Sequence, residues 1–114
     1  MVTLEQLRKL AMALPEVTEK PCFGTPAWYV RKKLIARFRD EEGDGDTFVV
    51  KCEIDEREAL VASDPRKFSV TDHYRNYPMV IVHMKKIGAR EVTELLTDGW
   101  RMCAPKKLVA EFDA

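Results

Sequence analysis

Residues 27–39 of the chain read AWYVRKKLIARFR, and their pattern is the clearest structural signal in the sequence. Two segments rich in apolar and aromatic residues, 27–31 and 33–39, meet at a basic run of Arg31, Lys32 and Lys33 and predict a β-hairpin. The turn falls at Arg31-Lys32 or at Lys32-Lys33, and neither pair contains the Gly or Asn that tight turns favour. A two-residue turn puts one set of residues on the same side of the hairpin, namely Trp28, Val30, Lys33, Ile35, Arg37 and Arg39. The opposite and more apolar side is the predicted core face, formed by Ala27, Tyr29, Leu34, Ala36 and Phe38.

The same region carries the most ordered charge in the chain. A basic block is followed directly by an acidic block, which consists of Asp40, Glu41, Glu42, Asp44 and Asp46. Two opposite blocks can form a binding surface, or they can neutralise each other. The whole chain has 19 basic and 19 acidic residues, so its formal net charge is zero. Any binding of nucleic acid would therefore depend on a local patch.

Composition indicates one globular domain over residues 1–114. The chain is 46% hydrophobic and 33% charged, as expected for a soluble protein with an apolar core. Three cysteines without C-x-x-C spacing favour reduced thiols over disulfides or a zinc site. The sequence shows neither a signal peptide nor an apolar run long enough for a membrane span, so we expect a cytoplasmic protein.

Helices and strands alternate along the rest of the chain. Thr3 and Gln6 have capping-box spacing and predict a helix that ends near Leu14, while residues 21–26 read as a loop. A strand is predicted over residues 47–52, and Asp55 with Glu58 predicts a short capped helix.

A second strand is predicted from Met79 to Met84, with Val80 and Val82 facing one way and Met79 and Ile81 the other. The last predicted helix follows Gly88 and carries an apolar stripe of Val92, Leu95, Leu96, Trp100 and Cys103. Pro105 ends it, and a short tail follows.

Several segments resemble the MmcQ/YjbR family of small bacterial proteins, in order and at matching spacing. They are residues 23–28, 50–51, 57–65, 73–78, 95–96, Trp100 and 104–108. The resemblance implies an α+β fold with two layers, in which the N- and C-terminal helices cover one face of an antiparallel sheet. That fold is similar to type III secretion chaperones and to the double-wing DNA-binding module, and the family usually carries a DNA-binding label. It implies no catalytic residues.

The hairpin is the candidate nucleic-acid site, with duplex DNA as the expected partner and binding that weakens with salt. Its predicted contacts are Arg31, Lys32, Lys33, Arg37 and Arg39 to phosphates, Trp28 stacking on a base, and Lys106 and Lys107 extending the patch. The alternative is a charged solvent face on which Arg37 and Arg39 pair with the acidic loop over residues 40–46, with Trp28, Val30 and Ile35 as core residues.

Other functions have weaker support in the sequence. The acidic loop lacks a calcium ligand at its twelfth position, which is Lys51, so no metal or cofactor is predicted. The candidate bases are His73 and His83, and the candidate nucleophiles are Cys22, Cys52, Cys103, Ser63 and Ser69. Cys22 and His73 both lie in predicted ordered loops and are a conceivable pair, but no spacing specifies it, so we expect a protein that is not an enzyme. The alternative to DNA binding is a chaperone-like module that binds a protein or itself through Trp28, Tyr74, Tyr77 or Trp100.

Overall fold

Six antiparallel strands form one sheet, and helices cover one of its faces. The structure is a computed structural model that describes residues 1–41 and 45–114. The helices are α1 (Leu4–Met12), α2 (Ile54–Ser63), α3 (Ala89–Cys103) and α4 (Lys106–Asp113). The strands are β1 (Val17–Cys22), β2 (Thr25–Val30), β3 (Lys33–Glu41), β4 (Gly45–Lys51), β5 (Phe68–Ser69) and β6 (Met79–His83), and a 3₁₀ turn spans Met84–Lys86. They are ordered β1-β2-β3-β4-β6-β5 across the sheet, which confirms the predicted α+β architecture.

The main core lies between the sheet and α3. Helix α3 packs across β3 and β4 and beside α1. Its predicted apolar stripe is confirmed, because Val92, Leu96, Trp100 and Cys103 are all buried. The indole Nε1 of Trp100 donates a hydrogen bond to the carbonyl oxygen of Pro15 at 2.9 Å, so the polar atom of this buried ring is satisfied.

Helix α1 begins with the capping box that the sequence predicts. The Thr3 hydroxyl accepts a hydrogen bond from the Gln6 amide at 3.2 Å, and the Gln6 side chain accepts one from the Thr3 amide at 2.9 Å. Two otherwise unpaired amides of the first turn are thereby satisfied. The helix ends at Met12, just before Pro15.

A β-bulge in β3 overturns the predicted faces of the hairpin. Trp28 pairs with Ala36 while Tyr29 pairs with Leu34, so Ile35 is an extra residue between the two pairs. A bulge residue reverses the alternation of every residue beyond it. The side chains that face the helices are therefore Trp28, Val30, Ile35, Ala36 and Phe38. Because a regular hairpin was assumed, the prediction that Trp28 shares a face with Arg37 and Arg39 is wrong.

The other side of the sheet, which we call the outer face, carries a second and smaller apolar cluster. Val49, Met79 and Ile81 form it, with Leu34 and Tyr74 packed against them. The alternation predicted along β6 is confirmed, since Val80 and Val82 lie in the main core instead. Arg37 belongs to the outer face, because its guanidinium bonds to the Tyr74 hydroxyl.

Four local expectations differ from the structure. Helix α2 begins at Ile54 with no side-chain cap, so the capping box predicted from Asp55 and Glu58 is wrong. Strand β1 includes Pro21, part of the segment expected to be a loop, and helix α4 replaces the expected tail. Strand β3 extends to Glu41 and β4 begins at Gly45, so the predicted acidic loop is shorter, and residues 42–44 lie outside the described residues.

Among the described helices, none has the length and apolar character needed to cross a bilayer.

Candidate nucleic-acid interface

The β2–β3 turn places two basic side chains in solvent. Val30 pairs with Lys33, so Arg31 and Lys32 are the two turn residues. Their φ angles are +49° and +70°, the left-handed conformation that a two-residue hairpin turn requires at both positions. Neither residue is Gly, so two cationic residues adopt a left-handed backbone conformation that is unfavourable for residues with a side chain.

Glu16 partly neutralises this turn. Its carboxylate accepts two hydrogen bonds from Arg31, at 2.6 Å from Nε and 3.1 Å from a terminal nitrogen. The hydrogen bond raises the pKa of Arg31 and lowers the pKa of Glu16. Lys32 and Lys33 are exposed, and they are the cations at this turn that a phosphate could reach most directly.

Arg37 and Arg39 donate hydrogen bonds to side-chain hydroxyl groups of the protein itself. Arg37 donates to the Thr25 hydroxyl at 3.2 Å and to the Tyr74 hydroxyl at 3.0 Å. Arg39 has only 3% of its surface exposed, and it donates to the Thr47 hydroxyl at 3.2 Å. A phosphate backbone outside the protein therefore has no access to Arg39, which corrects its predicted role.

Trp28 lies inside the core. Its exposed fraction is 0%, and its Nε1 donates to the Glu19 carboxylate at 2.9 Å. The ring belongs to the main core cluster on the helix-covered face, together with Val30 and Ile35. Stacking of a base on Trp28, which the sequence predicted, is incompatible with this burial.

The start of α4 brings a third basic group close to the turn. Lys107 and Arg31 line the same surface depression of about 340 Å³, together with Glu16, Pro105, Leu108 and Glu111. Lys106 is exposed in the same helical turn. The structure thus places Lys107 in one depression with Arg31, which Lys32 and Lys33 follow directly in the chain.

A larger depression of about 530 Å³ lies on the other side of the turn. It is lined by Glu16, Thr18, Lys20, Tyr29, Arg31 and Lys32. Three of these residues are cationic and one is acidic, so the depression favours an anion. Burial, and then a hydrogen bond with Cys22, raise the pKa of Tyr29 above its ordinary value.

The comparisons with known proteins agree with this architecture. The sequence profile of the YjbR family matches residues 12–102, which include all of β1 to β6. The chain belongs to the YjbR family. It is 31% identical to an uncharacterized protein of Mycobacterium tuberculosis, over an alignment that covers 98% of this chain and 96% of the relative. An uncharacterized protein of Mycobacterium bovis matches equally well.

A solved structure shows the same fold for another YjbR-like protein. The crystal structure of the Deinococcus radiodurans protein DR2400, described with a DUF419 domain, superimposes with a TM-score of 0.74 at 22% sequence identity. The match covers 88% of this chain and 77% of that one. The likeness establishes the arrangement of strands and helices in this YjbR-family protein.

Four residues that line the larger depression were not among the contacts predicted from the sequence, namely Glu16, Thr18, Lys20 and Tyr29. Thr18 and Lys20 belong to β1, where Thr18 pairs with Tyr29 and Lys20 with Ala27. Because of Pro21 the sequence did not predict this strand, since proline within a strand is tolerated mainly at the edge of a sheet. β1 is an edge strand, so the proline is tolerated, and only the Val17-Thr18 pair carried a local signal for it.

Proposed function

We propose that this YjbR-family protein is a non-catalytic binding module for the phosphate backbone of DNA. The observation that carries the proposal is the convergence of exposed cations at one end of the hairpin. Lys32 and Lys33 come from the turn, and Lys107 comes from the start of α4. Trp28 and Arg39 leave the predicted contact set because they are buried, and Arg37 supports the outer face through Thr25 and Tyr74.

The proposed mechanism is electrostatic. Each lysine that meets a phosphate releases a condensed counterion, so the logarithm of the affinity falls with the logarithm of salt concentration by about 0.9 for each contact. The chain has zero formal net charge, so attraction at long range is weak and the local cluster must supply the affinity. Three contacts predict a slope of about −3 and weak binding at physiological salt.

The test is a titration of a fluorescent DNA duplex with the protein at several salt concentrations. Replacing Lys32, Lys33 and Lys107 together by serine should reduce the salt slope by about 2 to 3. The matched control replaces three other exposed cations by serine, Arg66, Lys85 and Lys86, which lie outside the cluster. An unchanged slope in the first variant, or no binding of the wild type at low salt, would contradict the proposal.

Absence of catalysis is part of this proposal, although one pair of side chains has the form of a nucleophile and a base. The Ser69 hydroxyl lies 2.9 Å from Nε2 of His83. Such a pair usually needs a third group that orients the base. Across the described residues, no carboxylate is hydrogen-bonded to the His83 ring. The pair is consistent with a cross-strand contact between β5 and β6.

A second candidate function, protein binding, is favoured by two exposed aromatic rings. Phe23 has 93% of its surface exposed and Tyr77 has 56%, and such residues often anchor protein interfaces. Salt-insensitive self-association of the wild type, abolished in Phe23→Ser, would support this function. Sizing chromatography at low and moderate salt measures it, with Ile54→Ser as the control because Ile54 is also an exposed apolar residue.

A further inference from the structure

The outer side of β1 and β2 carries an alternation of cationic and aromatic groups. Starting at the hairpin turn, Lys32 and Tyr29 line the same depression, and Lys20 lies along β1 on the same side. Phe23 follows at the far end, in the turn between β1 and β2. From Thr18 to Cys22 the strand advances four residues, about 13 Å at about 3.3 Å per residue. The track is thus long enough for a chain of a few nucleotides.

The exposed ring and the backbone conformation of Phe23 are both unfavourable for the stability of the protein. Its ring is 93% exposed and its φ angle is +52°, a conformation that bulky residues rarely adopt. The guanidinium of Arg37 lies 5.8 Å from the centre of the ring, and Arg37 also donates to Tyr74. This cation–π contact holds the aromatic ring near the outer face while leaving most of it open to a ligand.

Tyr29 supplies the second aromatic surface. Its side chain is half-buried and lines the 530 Å³ depression with Lys20 and Lys32. Pockets for small organic ligands have volumes of about 300–1,000 Å³, so this depression can hold one nucleotide. A nucleotide base can stack on a tyrosine ring, while its phosphate meets the adjacent lysines.

We infer that the outer side of β1 and β2 binds single-stranded nucleic acid, with bases on Tyr29 and Phe23 and phosphates on Lys20 and Lys32. The inference deepens the proposed function and rests on it, because Lys32 takes part in both. Single strands are selected because bases in a duplex are already stacked and paired, so their faces cannot reach the two rings. Proteins that bind single strands commonly combine a basic groove with aromatic platforms in this manner.

The experiment compares a fluorescent oligothymidine with a duplex of equal length by anisotropy, using the full chain. We expect the single strand to bind at least about fivefold more tightly than the duplex. Tyr29→Leu and Phe23→Leu should each weaken single-strand binding by about fivefold or more and leave duplex binding unchanged. Tyr29→Phe keeps the ring and should retain single-strand affinity, which separates stacking from the hydroxyl group.

The outcomes separate this inference from the proposed function. One outcome would overturn the inference and keep the proposed function. In it, the variant that lacks Lys32, Lys33 and Lys107 loses salt-dependent binding, while Tyr29→Leu and Phe23→Leu have no effect. Failure of both oligonucleotides to bind the wild type at low salt would overturn both. Photocrosslinking of bromouracil-substituted oligonucleotide to the wild type does not depend on the folding of a variant. We expect adducts at Tyr29 or Phe23 by mass spectrometry, and adducts confined to other surfaces would contradict the inference.

Discussion

Arg57 is a buried cation that organises the loop over residues 71–78. Only 2% of its surface is exposed, and its guanidinium bonds to the Glu58 carboxylate at 2.8 Å. Its remaining hydrogen bonds go to the backbone carbonyls of Tyr74, Arg75, Tyr77 and Met79. A planar group with five donors is suited to binding several carbonyls of an irregular backbone at once, and two of these carbonyls, those of Tyr74 and Tyr77, also accept from backbone amides. Through Tyr74, which accepts from Arg37, this loop also supports the outer face of the sheet.

Arg57→Leu should lower the free energy of unfolding by about 3 kcal/mol or more. The substitution keeps apolar volume but removes the guanidinium's hydrogen bonds to four backbone carbonyls, and a hydrogen bond from a charged donor contributes about 1.5–3 kcal/mol. Urea denaturation measures the change, with Arg90→Leu as the control because Arg90 is exposed in the first turn of α3. A loss below about 1 kcal/mol in Arg57→Leu would show that water replaces the guanidinium without penalty.

The three thiols should differ in reactivity by their burial. Burial raises the pKa of Cys52 from an ordinary value of 9.0 to about 11, and burial also raises the pKa of Cys103. Because the thiolate is the reactive form, an alkylating pulse at neutral pH should label half-buried Cys22 well before either of them. Peptide mass spectrometry measures the labelling, and all three should react alike in denaturant. Equal rates for Cys22 and Cys52 in the native protein would contradict this expectation.

The raised pKa of Cys52 also gives the stability a pH dependence. The folded state holds the Cys52 proton more tightly than the unfolded state, so this contribution to stability is fully present below about pH 9 and is lost as the pH rises through about 11. Urea titrations across this range should show a steeper alkaline loss in the wild type than in Cys52→Ala. An equal loss of stability in the wild type and in Cys52→Ala would mean that groups other than Cys52 cause the alkaline destabilisation.

The β2–β3 hairpin retains strain at its turn. Lys32 has a φ angle of +70°, which costs a residue with a side chain more than it costs glycine. Lys32→Gly should therefore raise the stability by about 0.5–1 kcal/mol. Lys33→Gly removes the same charge from a strand position and should lower the stability by a similar amount. Thermal denaturation compares the two, and a shift of both Tm values in one direction would contradict the assignment of strain to the turn.

Elements with a local cause were predictable from the sequence, and those set by long-range packing were not. The capping box at Thr3 and Gln6 and the alternation along β6 depend on residues close in sequence, and both are present. The bulge at Ile35 has no local signal in the sequence, and it lies in a strand on which α3 packs. That one extra residue decides which side of the sheet receives Trp28 and which receives Arg37.

At the scale of the whole molecule, the candidate site depends on burial that charge patterning does not reveal. The basic block of residues 31–39 contains no acidic residue, yet the fold divides it between exposed positions at the turn and buried or half-buried positions along β3. Arg39 is buried, Arg31 is paired with Glu16, and Lys32 and Lys33 are exposed. Lys107 was expected to extend the patch, and it lines one depression with Arg31, whereas Lys20 was not expected and lines the other.

The contact between the helical layer and the sheet leaves no space at Gly99. A Cβ atom at this position would lie 3.0 Å from the Lys51 carbonyl oxygen and 3.2 Å from a Val50 methyl carbon. Alanine is favoured over glycine in a helix by about 1 kcal/mol, but overpacking a close contact typically costs about 1–3 kcal/mol. The backbone oxygen cannot move aside without displacing β4, so we expect the second effect to dominate.

Gly99→Ala should therefore lower the free energy of unfolding by about 1 kcal/mol or more, measured by urea denaturation. Thr93→Ala is the control in the same helix, because Thr93 is exposed and its replacement should change the stability by less than about 0.5 kcal/mol. Since β4 pairs directly with β3, a shift of β4 would also move the strand that leads to the β2–β3 turn. A stabilising effect of Gly99→Ala would contradict this prediction. It would mean that α3 and β4 can separate by a few tenths of an ångström at little cost in free energy.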